Sequence, residues 1–453
     1  MWRMVTDPTA LAAQRAELAR EGVRCVAGWA TNASNLLHAK TMPLERLADF
    51  VTSGAGMSPV YNGYSLDASI QFTPFYGAVG DLRLRLIPET VRVLGDGLAI
   101  GATRAVDQDG VADECAPRNI LERVVADAAD AGFAPLIGHE LEFTLVNPDG
   151  SLIDVPAWTP YGLGPVVGLQ GFIDDLITQG ATAGVSFEQV HAEYGAMQIE
   201  VSLPPADPVV AADTVVVAKT VIGRVARQHG MLPSFSPVPI AGGVGNGAHQ
   251  HFSLSRGGSS IFAGGDGARG MTAAGEHAVA GLLASLPEAQ AVFAGSVLSG
   301  TRLAPGLWSG ATVCWGTENR EASIRFLQGG SANPHGANVE VKIIDPSANP
   351  YLASAVILSL AIRGIDRAAA LPPETTDDPS SLDDDARAAA GLTVLPTDQQ
   401  AVLDAFETSA VMSEILGPQS VAALLAVRRH EQDVYGDQDP GERSDALRLA
   451  WTV

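Results

Sequence analysis

The stretch GHELEFTLV, residues 138–146, alternates apolar and polar side chains as a half-buried β-strand does. Alternate residues of a strand point to the same face, so the carboxylates of Glu140 and Glu142 lie on one side. Two carboxylates this close together are unfavourable unless a cation lies between them. The alternative is a solvent-facing sheet edge, and the spacing alone favours neither interpretation.

Two later stretches predict strands that also carry ligand-type side chains. In HAEYGAMQIEVSL, residues 191–203, Glu193 and Glu200 flank Gly195, and a bend at this glycine would bring both carboxylates to one site. In AHQHFSLS, residues 248–255, His249 and His251 have strand spacing and share a face. Neutral imidazole is a good ligand for Mn²⁺ or Zn²⁺ and a less usual one for Mg²⁺. For each pair the alternative is an ordinary structural role.

Three arginines follow. Arg302 lies in TRLAPG, and Arg320 and Arg325 lie in ENREASIRF. On a regular strand Arg320 and Arg325 would point to opposite faces, whereas a turn between them lets both converge. Guanidinium groups suit phosphate and carboxylate oxygens, and surface ion pairing is the alternative for any single arginine.

A last strand, NVEVKIID at residues 338–345, presents Glu340 and Lys342 on one face. An acid and a base in this arrangement often pair only with each other or across a ladder. Taken together, the motifs supply carboxylates for two cations, imidazoles, and arginines for phosphoryl and carboxylate groups. This set suits a reaction in which metal-bound ATP transfers its γ-phosphoryl group to an oxygen acceptor.

The overall composition limits the class of protein. A chain of 453 residues exceeds the usual size of one core, so we expect two or more domains. The net charge of −23 argues against nucleic acid or an acidic membrane surface as a partner, and suits metal ions, an amine, or solubility alone. The three cysteines are far apart and predict buried apolar residues.

The amino-terminal stretch predicts an amphipathic helix without the features of a signal peptide, and no apolar run reaches the ~18–20 residues of a membrane span. The cytoplasm is therefore the expected compartment. Pro117 predicts a helix start after a connector, which indicates a domain boundary near 105–117. The acidic stretch ETTDDPSSLDDDARAAAG, residues 374–391, predicts a surface loop.

The ordered motifs resemble the glutamine synthetase family along nearly the whole chain. The blocks HELEF, HAEYGAMQIE, GNGAHQHFSL, RLAPG, ENREASIR and EVKIIDPSANPYLA occur in the family's order. The likeness is greatest to actinobacterial glutamine synthetase-like proteins of the γ-glutamylpolyamine synthetase type, through stretches such as CWGTENREA and NVEVKIIDPSANPYLASA.

The resemblance implies an α+β fold with two domains. Residues 1–107 would form a β-grasp domain, and residues 108–453 would form the catalytic domain, an antiparallel sheet with helices. It also implies a homo-oligomer, a dodecamer of two stacked hexameric rings, in which a neighbour's amino-terminal domain completes each active site. The implied substrates are ATP, glutamate and an amine, with two or three Mg²⁺ or Mn²⁺ ions per site, and neither nucleic acid nor membrane is an expected partner.

The resemblance also implies site roles, residue by residue. The implied ligands of one metal ion are Glu142, Glu193 and Glu200, and those of the other are Glu140, His249 and Glu340. The implied nucleotide contacts are Glu188, His251 and Ser253. The implied phosphate contacts are Arg320 and Arg325. The implied glutamate contacts are Gly245, Arg302 and Lys342. With these groups, the γ-carboxylate of glutamate would attack the γ-phosphorus of ATP and release ADP. An amine would then attack the γ-carbonyl carbon of the γ-glutamyl phosphate and displace phosphate.

The sequence departs from the family at the ammonium site. Ammonia-using members carry a proton-accepting glutamate two residues after RLxPG, where this chain has Trp308. The DGSS motif, whose aspartate helps to bind ammonium, has only NGYS at 62–65 as its nearest segment, although Asp81 matches another ammonium-site acid. Tryptophan cannot accept a proton, but it can pack against an alkyl amine. This departure favours an organic amine, a polyamine first, as the acceptor.

Other departures leave three functions open. Lys342 and Asn338 each replace an arginine of the family, and Val244 replaces an asparagine, so another carboxylic acid could replace glutamate.

The first hypothesis is a γ-glutamyl amide ligase that uses an organic amine. The second is an ordinary glutamine synthetase that uses ammonia. The third is a catalytically silent relative that senses or binds ligands, against which the intact metal and phosphate residues argue.

Overall fold

The computed structural model describes residues 7–453. The predicted leading helix is present as α1 (Pro8–Arg20), and the first six residues of its predicted span lie outside the described part. Asp7 caps α1, because its side chain accepts a hydrogen bond from the backbone N–H of Thr9 at 2.9 Å. Pro8 follows at the first helical position, where its missing N–H costs nothing.

The amino-terminal part forms a mixed sheet of six strands. The strands are β1 (Cys25–Thr31), β2 (Leu37–Pro43), β3 (Ala55–Met57), β4 (Leu82–Leu86), β5 (Arg92–Gly95) and β6 (Leu98–Val106). Their order is β2-β1-β6-β4-β3, with β5 on β6, and only β1 and β6 run parallel. Helices α1 and α2 (Leu47–Thr52) contribute Leu18 and Phe50 to a small apolar core beneath it. This arrangement agrees with the predicted β-grasp domain.

The second part is built on a sheet of ten strands. They are β7 (Phe133–Val146), β8 (Gln189–Ala192), β9 (Gln198–Ala206), β10 (Leu232–Ser234), β11 (Gln250–Arg256), β12 (Ser259–Ser260), β13 (Thr312–Thr317), β14 (Ala322–Leu327), β15 (Asn338–Val341) and β16 (Thr393–Val394). The order is β16-β13-β14-β15-β11-β7-β9-β8, with β10 on β7 and β12 on β11. All pairs are antiparallel except β13 with β14, so the predicted antiparallel α+β architecture is confirmed.

Twelve further helices accompany this sheet among the described residues. They are α3 (Pro117–Asp130), α4 (Leu163–Gly168), α5 (Gln170–Thr182), α6 (Pro208–Gln228), α7 (Ala273–Phe293), α8 (Ser299–Arg302), α9 (Pro350–Asp366), α10 (Asp384–Ala389), α11 (Gln399–Glu407), α12 (Ala410–Leu416), α13 (Pro418–Tyr435) and α14 (Pro440–Leu447). Helices α7 and α9 approach closely at Gly281 and Gly364. A Cβ on Gly281 would lie 2.6 Å from the Cα of Gly364, so a side chain there would separate the helices.

The predicted loop at 374–391 is partly wrong, because α10 lies within it. Asp383 caps that helix by accepting a hydrogen bond from the N–H of Ala386 at 2.8 Å. The acidic composition that indicated a loop also supplies a helix start. The predicted helix start at Pro117 is confirmed.

A hydrogen-bonded chain joins the amino-terminal sheet to the helices of the second part. The indole N–H of Trp29, on β1, donates to the hydroxyl of Tyr351 at 3.3 Å, and this hydroxyl donates to Asp213 at 2.7 Å. Arg118 makes a two-pronged pair with Asp213, at 2.9 Å for each contact. All four side chains lie on regular elements, so the junction is held by fixed groups. The domain boundary at 107/108 stays a prediction.

Two further expectations concern cysteines and membranes. Cys115 and Cys314 are buried as predicted, Cys25 is half-buried, and all three are free thiols. Within residues 7–453, no single helix has the length and apolarity to cross a membrane. Helices α12 and α13 meet that test only as a pair, and they are bent by 110° where they join.

Candidate active site

A large cavity of about 1160 Å³ opens over the ten-stranded sheet. Most of the predicted site residues line it: Glu140, Glu142, Glu188, Glu193, Glu200, Gly245, His249, Arg302, Trp308, Arg320, Arg325, Glu340 and Lys342. His251 lies in the strand beneath and contacts Glu140, with 3.4 Å between its Nε2 and a carboxylate oxygen. Ser253 and Asp81 do not line this cavity.

The sheet register brings the acidic residues together. Glu142 on β7 lies opposite Glu200 on β9, and Glu200 in turn lies opposite His191 on β8. On the other side, Glu340 of β15 lies opposite both His251 of β11 and Arg325 of β14. Cross-strand partners have Cβ atoms only about 5 Å apart. The charged faces of these alternating strands therefore form one surface, the floor of the cavity.

The first cluster on this floor contains His191, Glu193 and Glu200, with one ligand atom from each within 4.8 Å of the others. The imidazole Nε2 of His191 lies 3.1 Å from Glu193 and 3.5 Å from Glu200. The predicted bend is present between β8 and β9, where Met197 takes a φ of 60°. His191 was not among the predicted site residues. It could have been found from its spacing, because His191 precedes Glu193 by two residues, which places alternate residues of a strand on one face.

Gln198 fixes the position of this turn. Its side-chain oxygen accepts a hydrogen bond from the N–H of Gly195 at 2.8 Å. Its amide nitrogen donates to Glu142 at 3.0 Å and to the carbonyl of Gly245 at 2.9 Å. A single buried amide thus joins the hairpin turn, the floor and the loop of Gly245, and Gln198 was also not among the predicted site residues.

The second cluster contains Glu140, His251 and Glu340, again within 4.8 Å. His249 also reaches it, with its Nδ1 3.2 Å from Glu140 and 3.4 Å from Glu340. The prediction that both histidines lie on one strand is wrong, because β11 begins at Gln250 and His249 lies in the preceding loop. Both imidazoles still lie beside Glu140, at 3.2 Å for His249 and 3.4 Å for His251. The assignment of His249 to a metal and His251 to the nucleotide stays a prediction.

The carboxylates of the floor influence one another's ionisation through their charges. Burial and the charges of Glu140 and Glu142 raise the pKa of Glu200 well above its ordinary value. Burial opposes ionisation of Glu340, but Lys342 and the histidines outweigh it and hold the pKa of Glu340 at about 2. A donor set of carboxylates and imidazoles, in which one carboxylate resists ionisation because of its neighbours, fits divalent cations. These side chains could therefore hold metal ions.

Arg302 and Gly245 form one wall of the cavity. The guanidinium of Arg302 donates to the carbonyl of Ile343 at 3.1 Å and lies 3.2 Å from the Nε2 of His249. A Cβ on Gly245 would lie 2.9 Å from the Cγ of Arg302 and 2.8 Å from the carbonyl of Pro237. Any larger residue would therefore displace the backbone or Arg302, which explains the glycine at this position.

Arg320 and Arg325 converge on the opposite side, as the predicted turn between them requires. Arg325 lies on β14 and pairs with Glu340 at 3.2 Å and with Glu318 at 2.7 Å. Arg320 lies in the preceding loop, is exposed, and has its guanidinium carbon 5.8 Å from the ring of Trp308. Lys342 is buried and contacts Glu340 at 3.1 Å. The cavity thus has arginine and lysine cations around its floor of carboxylates.

The loop that carries Trp308 is held by Glu321. The carboxylate of Glu321, which is only 5% exposed, accepts hydrogen bonds from the N–H groups of Trp308 at 2.7 Å and of Gly306 at 3.2 Å. Trp308 itself takes a φ of 55°, a conformation that costs a bulky residue energy unless its surroundings enforce it. Glu321 supplies that enforcement directly beside Arg320.

An aromatic row extends from Trp308 along the cavity. The rings of Trp308 and Tyr194 lie 6.2 Å apart, and those of Tyr194 and Tyr161 also lie 6.2 Å apart. All three side chains are about half exposed. Tyr161 also has a positive φ, 54°, and its N–H donates to the carbonyl of Ala192 at 2.9 Å. The row, Tyr161, Tyr194 and Trp308, therefore faces the cavity beside the acidic residue Glu193.

A second cavity of about 470 Å³ adjoins the first. Ser253 lines it, together with His335, whose Nε2 lies 3.2 Å from Glu188 in the main cavity. The predicted nucleotide contacts Glu188 and Ser253 therefore lie on adjoining surfaces. Asp81 lies in the loop before β4, where its carbonyl accepts a hydrogen bond from Gln108 at 3.1 Å. Its role as a substrate residue stays a prediction.

Comparison with curated proteins identifies related enzymes. The chain is 38% identical over 434 residues to a γ-glutamylpolyamine synthetase of Streptomyces coelicolor, an alignment that covers 94% of this chain and 93% of the relative. It is 31% identical over 372 residues to a glutamine synthetase of Halobacterium salinarum, covering 78% of this chain and 80% of the relative.

Solved structures and a family model agree with these relatives. A crystal structure of a glutamine synthase homologue matches with a TM-score of 0.84 and 28% identity, covering 94% of this chain and 98% of the other. A complex of GmaS with ADP matches with a TM-score of 0.83 and 26% identity, covering 94% and 97%. Residues 114–440 match the model of the glutamine synthetase catalytic domain. The chain is therefore a ligase that belongs to the glutamine synthetase family.

Proposed function

We propose that this enzyme uses ATP to join the γ-carboxylate of glutamate to an organic amine, with a polyamine as the favoured acceptor. The observation that carries the proposal is the aromatic row at the place where ammonia-using relatives have an acidic loop residue. The name of the Streptomyces coelicolor relative, a γ-glutamylpolyamine synthetase, supports the same acceptor class.

The floor of the cavity would hold two or three divalent ions, Mg²⁺ or Mn²⁺. Glu142, Glu193 and Glu200 are proposed for one ion, with His191 beside them. Glu140, His249 and Glu340 are proposed for another. Such ions would neutralise negative charge on the transferred phosphoryl group. Gln198 and the backbone N–H of Gly247, which donates to Glu142 at 2.8 Å, would keep one oxygen of Glu142 oriented.

The cations around the floor have proposed roles in binding and orientation. Arg320 and Arg325 would contact phosphate oxygens of ATP, and Glu188, His251 and Ser253 would contact the nucleotide. Arg302, Lys342 and Gly245 would position glutamate so that its γ-carboxylate faces the γ-phosphorus. Holding two reactants in line is the largest contribution that a phosphoryl-transfer enzyme can make besides charge stabilisation.

The aromatic row would bind the acceptor. The methylene groups of an alkyl amine can pack on the rings of Tyr194 and Trp308, and an ammonium near an aromatic face gains about 0.5–2 kcal/mol. Ammonium itself has no methylene groups and would gain only the electrostatic part. The acidic floor beside the row would attract the cationic amine before it loses its proton.

Glutamate-dependent phosphate release from ATP and Mg²⁺ tests the proposal. Ammonium, methylamine, ethanolamine, putrescine, spermidine and spermine serve as parallel acceptors. We expect turnover with a polyamine and little with ammonium. Turnover with ammonium alone would restore ordinary glutamine synthesis. ATP binding without turnover on any amine would favour a silent, ligand-binding relative.

The assembly belongs to the same proposal. A dodecamer of two hexameric rings would place a neighbour's amino-terminal domain over each cavity. Asp81 would then act on the neighbour's substrate, which accounts for its position outside the cavity of its own chain. Such an arrangement supplies an acid near the acceptor amine without placing one on the Trp308 loop.

A further inference from the structure

A separate cavity of about 510 Å³ lies between the amino-terminal sheet and helix α3. Strand β4 contributes Arg85, strand β6 contributes Arg104, and α3 contributes Arg123 to its lining. Gly110, in the loop after β6, lines it as well. The cavity shares no lining residue with the active-site cavity. We call this space the arginine cavity.

The strands of the arginine cavity place two like charges opposite each other. Arg85 on β4 lies directly across from Arg104 on β6 in the antiparallel register. Like charges in this position destabilise a strand pair. The chain has 28 lysines and arginines against 51 acidic residues, so carboxylates are plentiful as partners for its cations. Two opposed guanidinium groups at one cavity therefore require an explanation.

The two carboxylates that line the arginine cavity are already engaged by other cations. Glu122 accepts hydrogen bonds from Arg104 at 2.7 Å and 3.0 Å, and it also pairs with Arg118. Asp127 lies 3.7 Å from Arg123, and 68% of its side chain is exposed. Neither carboxylate pairs with Arg85, so the charge of Arg85 is not neutralised by the lining.

Arg85 is therefore the cation that an added anion would serve. Its Nε is buried and has no hydrogen-bond acceptor within residues 7–453. Its two terminal nitrogens lie beside Gly110, where a Cβ would be 3.3 Å from Nη1 and 3.4 Å from Nη2. The glycine thus leaves open the space next to these nitrogens, and their N–H groups are the donors that a ligand in the cavity can reach.

The arrangement of the cations indicates which anion fits. The three arginines approach the cavity from three different elements, β4, β6 and α3. A carboxylate has two oxygens in one plane, which a single guanidinium fork satisfies. A phosphate group has tetrahedral oxygens and a charge of about −2, so it can accept hydrogen bonds from more than one guanidinium at once. The apolar lining is one valine and two alanines, too little to select a hydrocarbon chain.

We propose that the arginine cavity binds a phosphate group, whose oxygens accept hydrogen bonds from Arg85 and Arg104. The bound group offsets the repulsion between these two opposed side chains. It contacts β4, β6 and α3 together, so its binding stabilises the contact between the amino-terminal sheet and α3. The cavity has room beyond the phosphate itself, so the ligand is either inorganic phosphate or the phosphate of a small metabolite. This site is independent of the ligase reaction.

Isothermal titration calorimetry tests the site with inorganic phosphate and glucose 6-phosphate, and with succinate and chloride as comparison anions at equal ionic strength. Arg85→Met is expected to bind phosphate at least tenfold more weakly than wild type. Arg15→Met removes an exposed arginine of α1 outside the cavity, and as the matched control it should bind like wild type. Phosphate bound at the active site does not depend on Arg85, so the difference between the proteins reports the arginine cavity alone.

Thermal unfolding gives a second readout. Without phosphate, Arg85→Met should be at least as stable as wild type because it lacks the repulsion from Arg104, and added phosphate should raise its Tm less than that of wild type. Ligase turnover should be equal in wild type, Arg85→Met and Arg15→Met. Ala126→Phe keeps all three arginines but fills the cavity, and it is expected to lose the Arg85-dependent binding as well.

Two results would overturn the site itself: phosphate binding in Arg85→Met as tight as in wild type, or a wild-type response to phosphate no larger than that to chloride. Stronger Arg85-dependent binding of succinate than of either phosphate compound would overturn the ligand class. Arg85-dependent binding of glucose 6-phosphate without binding of inorganic phosphate would support the phosphate assignment and identify the ligand as a phosphate ester.

Discussion

Trp308 is exposed on its loop, lies within 6.2 Å of Tyr194, and faces Arg320. Replacing it by alanine removes the ring that we expect to bind the acceptor. Trp308→Ala should lower kcat/KM for the best organic amine about two- to thirtyfold, the range of a cation–π contact. The KM values for ATP and glutamate should change little, and steady-state kinetics with each substrate varied in turn measures this.

Trp308→Phe is the matched control, because it keeps an aromatic face at the same position. It should retain most of the activity that alanine loses. An equal loss of kcat/KM for ammonium and for the polyamine in Trp308→Ala would instead mean that the ring only packs the loop.

Glu321 is a positioning residue for the same loop. Its buried carboxylate accepts two backbone hydrogen bonds, from Gly306 and Trp308. Hydrogen bonds to a charged group contribute about 1.5–3 kcal/mol each, so Glu321→Ala should free the loop and lower kcat/KM for the amine about tenfold or more. Glu321→Gln keeps one acceptor oxygen and should lose less.

Hydrogen exchange supplies the structural readout for Glu321. The amides of Gly306 and Trp308 should exchange faster in Glu321→Ala, whereas the amide of Tyr194, which donates to Glu193 at 3.1 Å, should be unchanged. A loss of activity with no change in loop exchange would contradict a positioning role.

At the level of elements, strands β7 and β9 bring the carboxylates of Glu140, Glu142 and Glu200 together, and their mutual repulsion lowers the stability of the fold. Burial and neighbouring carboxylates raise the pKa of Glu200 well above its ordinary value. Mg²⁺ or Mn²⁺ should therefore stabilise the fold, by about 2.7 kcal/mol at a hundred times the dissociation constant. Glu200→Gln should melt at a higher temperature than wild type in EDTA and gain less from added metal. A metal-dependent gain in Tm equal to that of wild type would show that Glu200 is not a ligand.

Helix α6 gives a pH prediction through Lys219, whose pKa is lowered to about 8 from 10.5 by burial. Between these values the unfolded chain binds a proton that the folded protein does not, so stability rises with pH across this window and is lost as pH falls through it. The change amounts to about 3 kcal/mol. His38 lines the same cavity as Lys219, and its pKa of about 4 means that it does not titrate between pH 8 and pH 10.5.

Lys219→Met removes this dependence. Chemical denaturation at pH 8 and pH 10 should show a rise in the free energy of unfolding for wild type that the variant lacks. Below pH 8 the variant should be the more stable protein, because it buries no unpaired charge. Parallel pH profiles for the two proteins would mean that Lys219 is solvated in the folded state.

The strands that carry the site could be predicted, because alternation is a local pattern. It marked the face shared by Glu140 and Glu142, and Gly195 marked the bend between Glu193 and Glu200. The start of β11 could not be fixed to one residue, so His249 was placed on the strand when it lies before it. Helix α10 was missed because aspartate, which is frequent in loops, is also a preferred residue at helix starts.

At the scale of the whole molecule, the assembly of the floor was not readable from local patterns. Glu142 meets Glu200, and His251 meets Glu340, through pairings between strands far apart in the chain. No local sequence pattern records which distant strands pair. The α+β class and the matching family could be recognised because several motifs occur in the family's fixed order. Gln198 was missed because its role depends on three segments of the chain that meet only in the folded structure.

Asp81 and Arg320 give a prediction about the assembly. If a neighbour's amino-terminal domain completes each site, Asp81→Asn and Arg320→Ala should each be poorly active alone. When the two variants are co-expressed with different tags and purified through both tags, the mixed oligomers should regain activity. If the subunits mix at random in the rings, the activity should reach up to about a quarter of the wild-type activity. No recovery in the mixed assembly would place Asp81 outside the neighbour's site.

The two hydrogen bonds between Glu321 and the Trp308 loop have a consequence for the history of this protein. A lineage that exchanged Trp308 for an acidic residue would place a second carboxylate beside Glu321, whose charge already holds the loop. Repulsion would loosen the loop before any new acceptor could be used. The two positions are therefore expected to be inherited together, and a single substitution is a poor evolutionary route from one acceptor amine to the other.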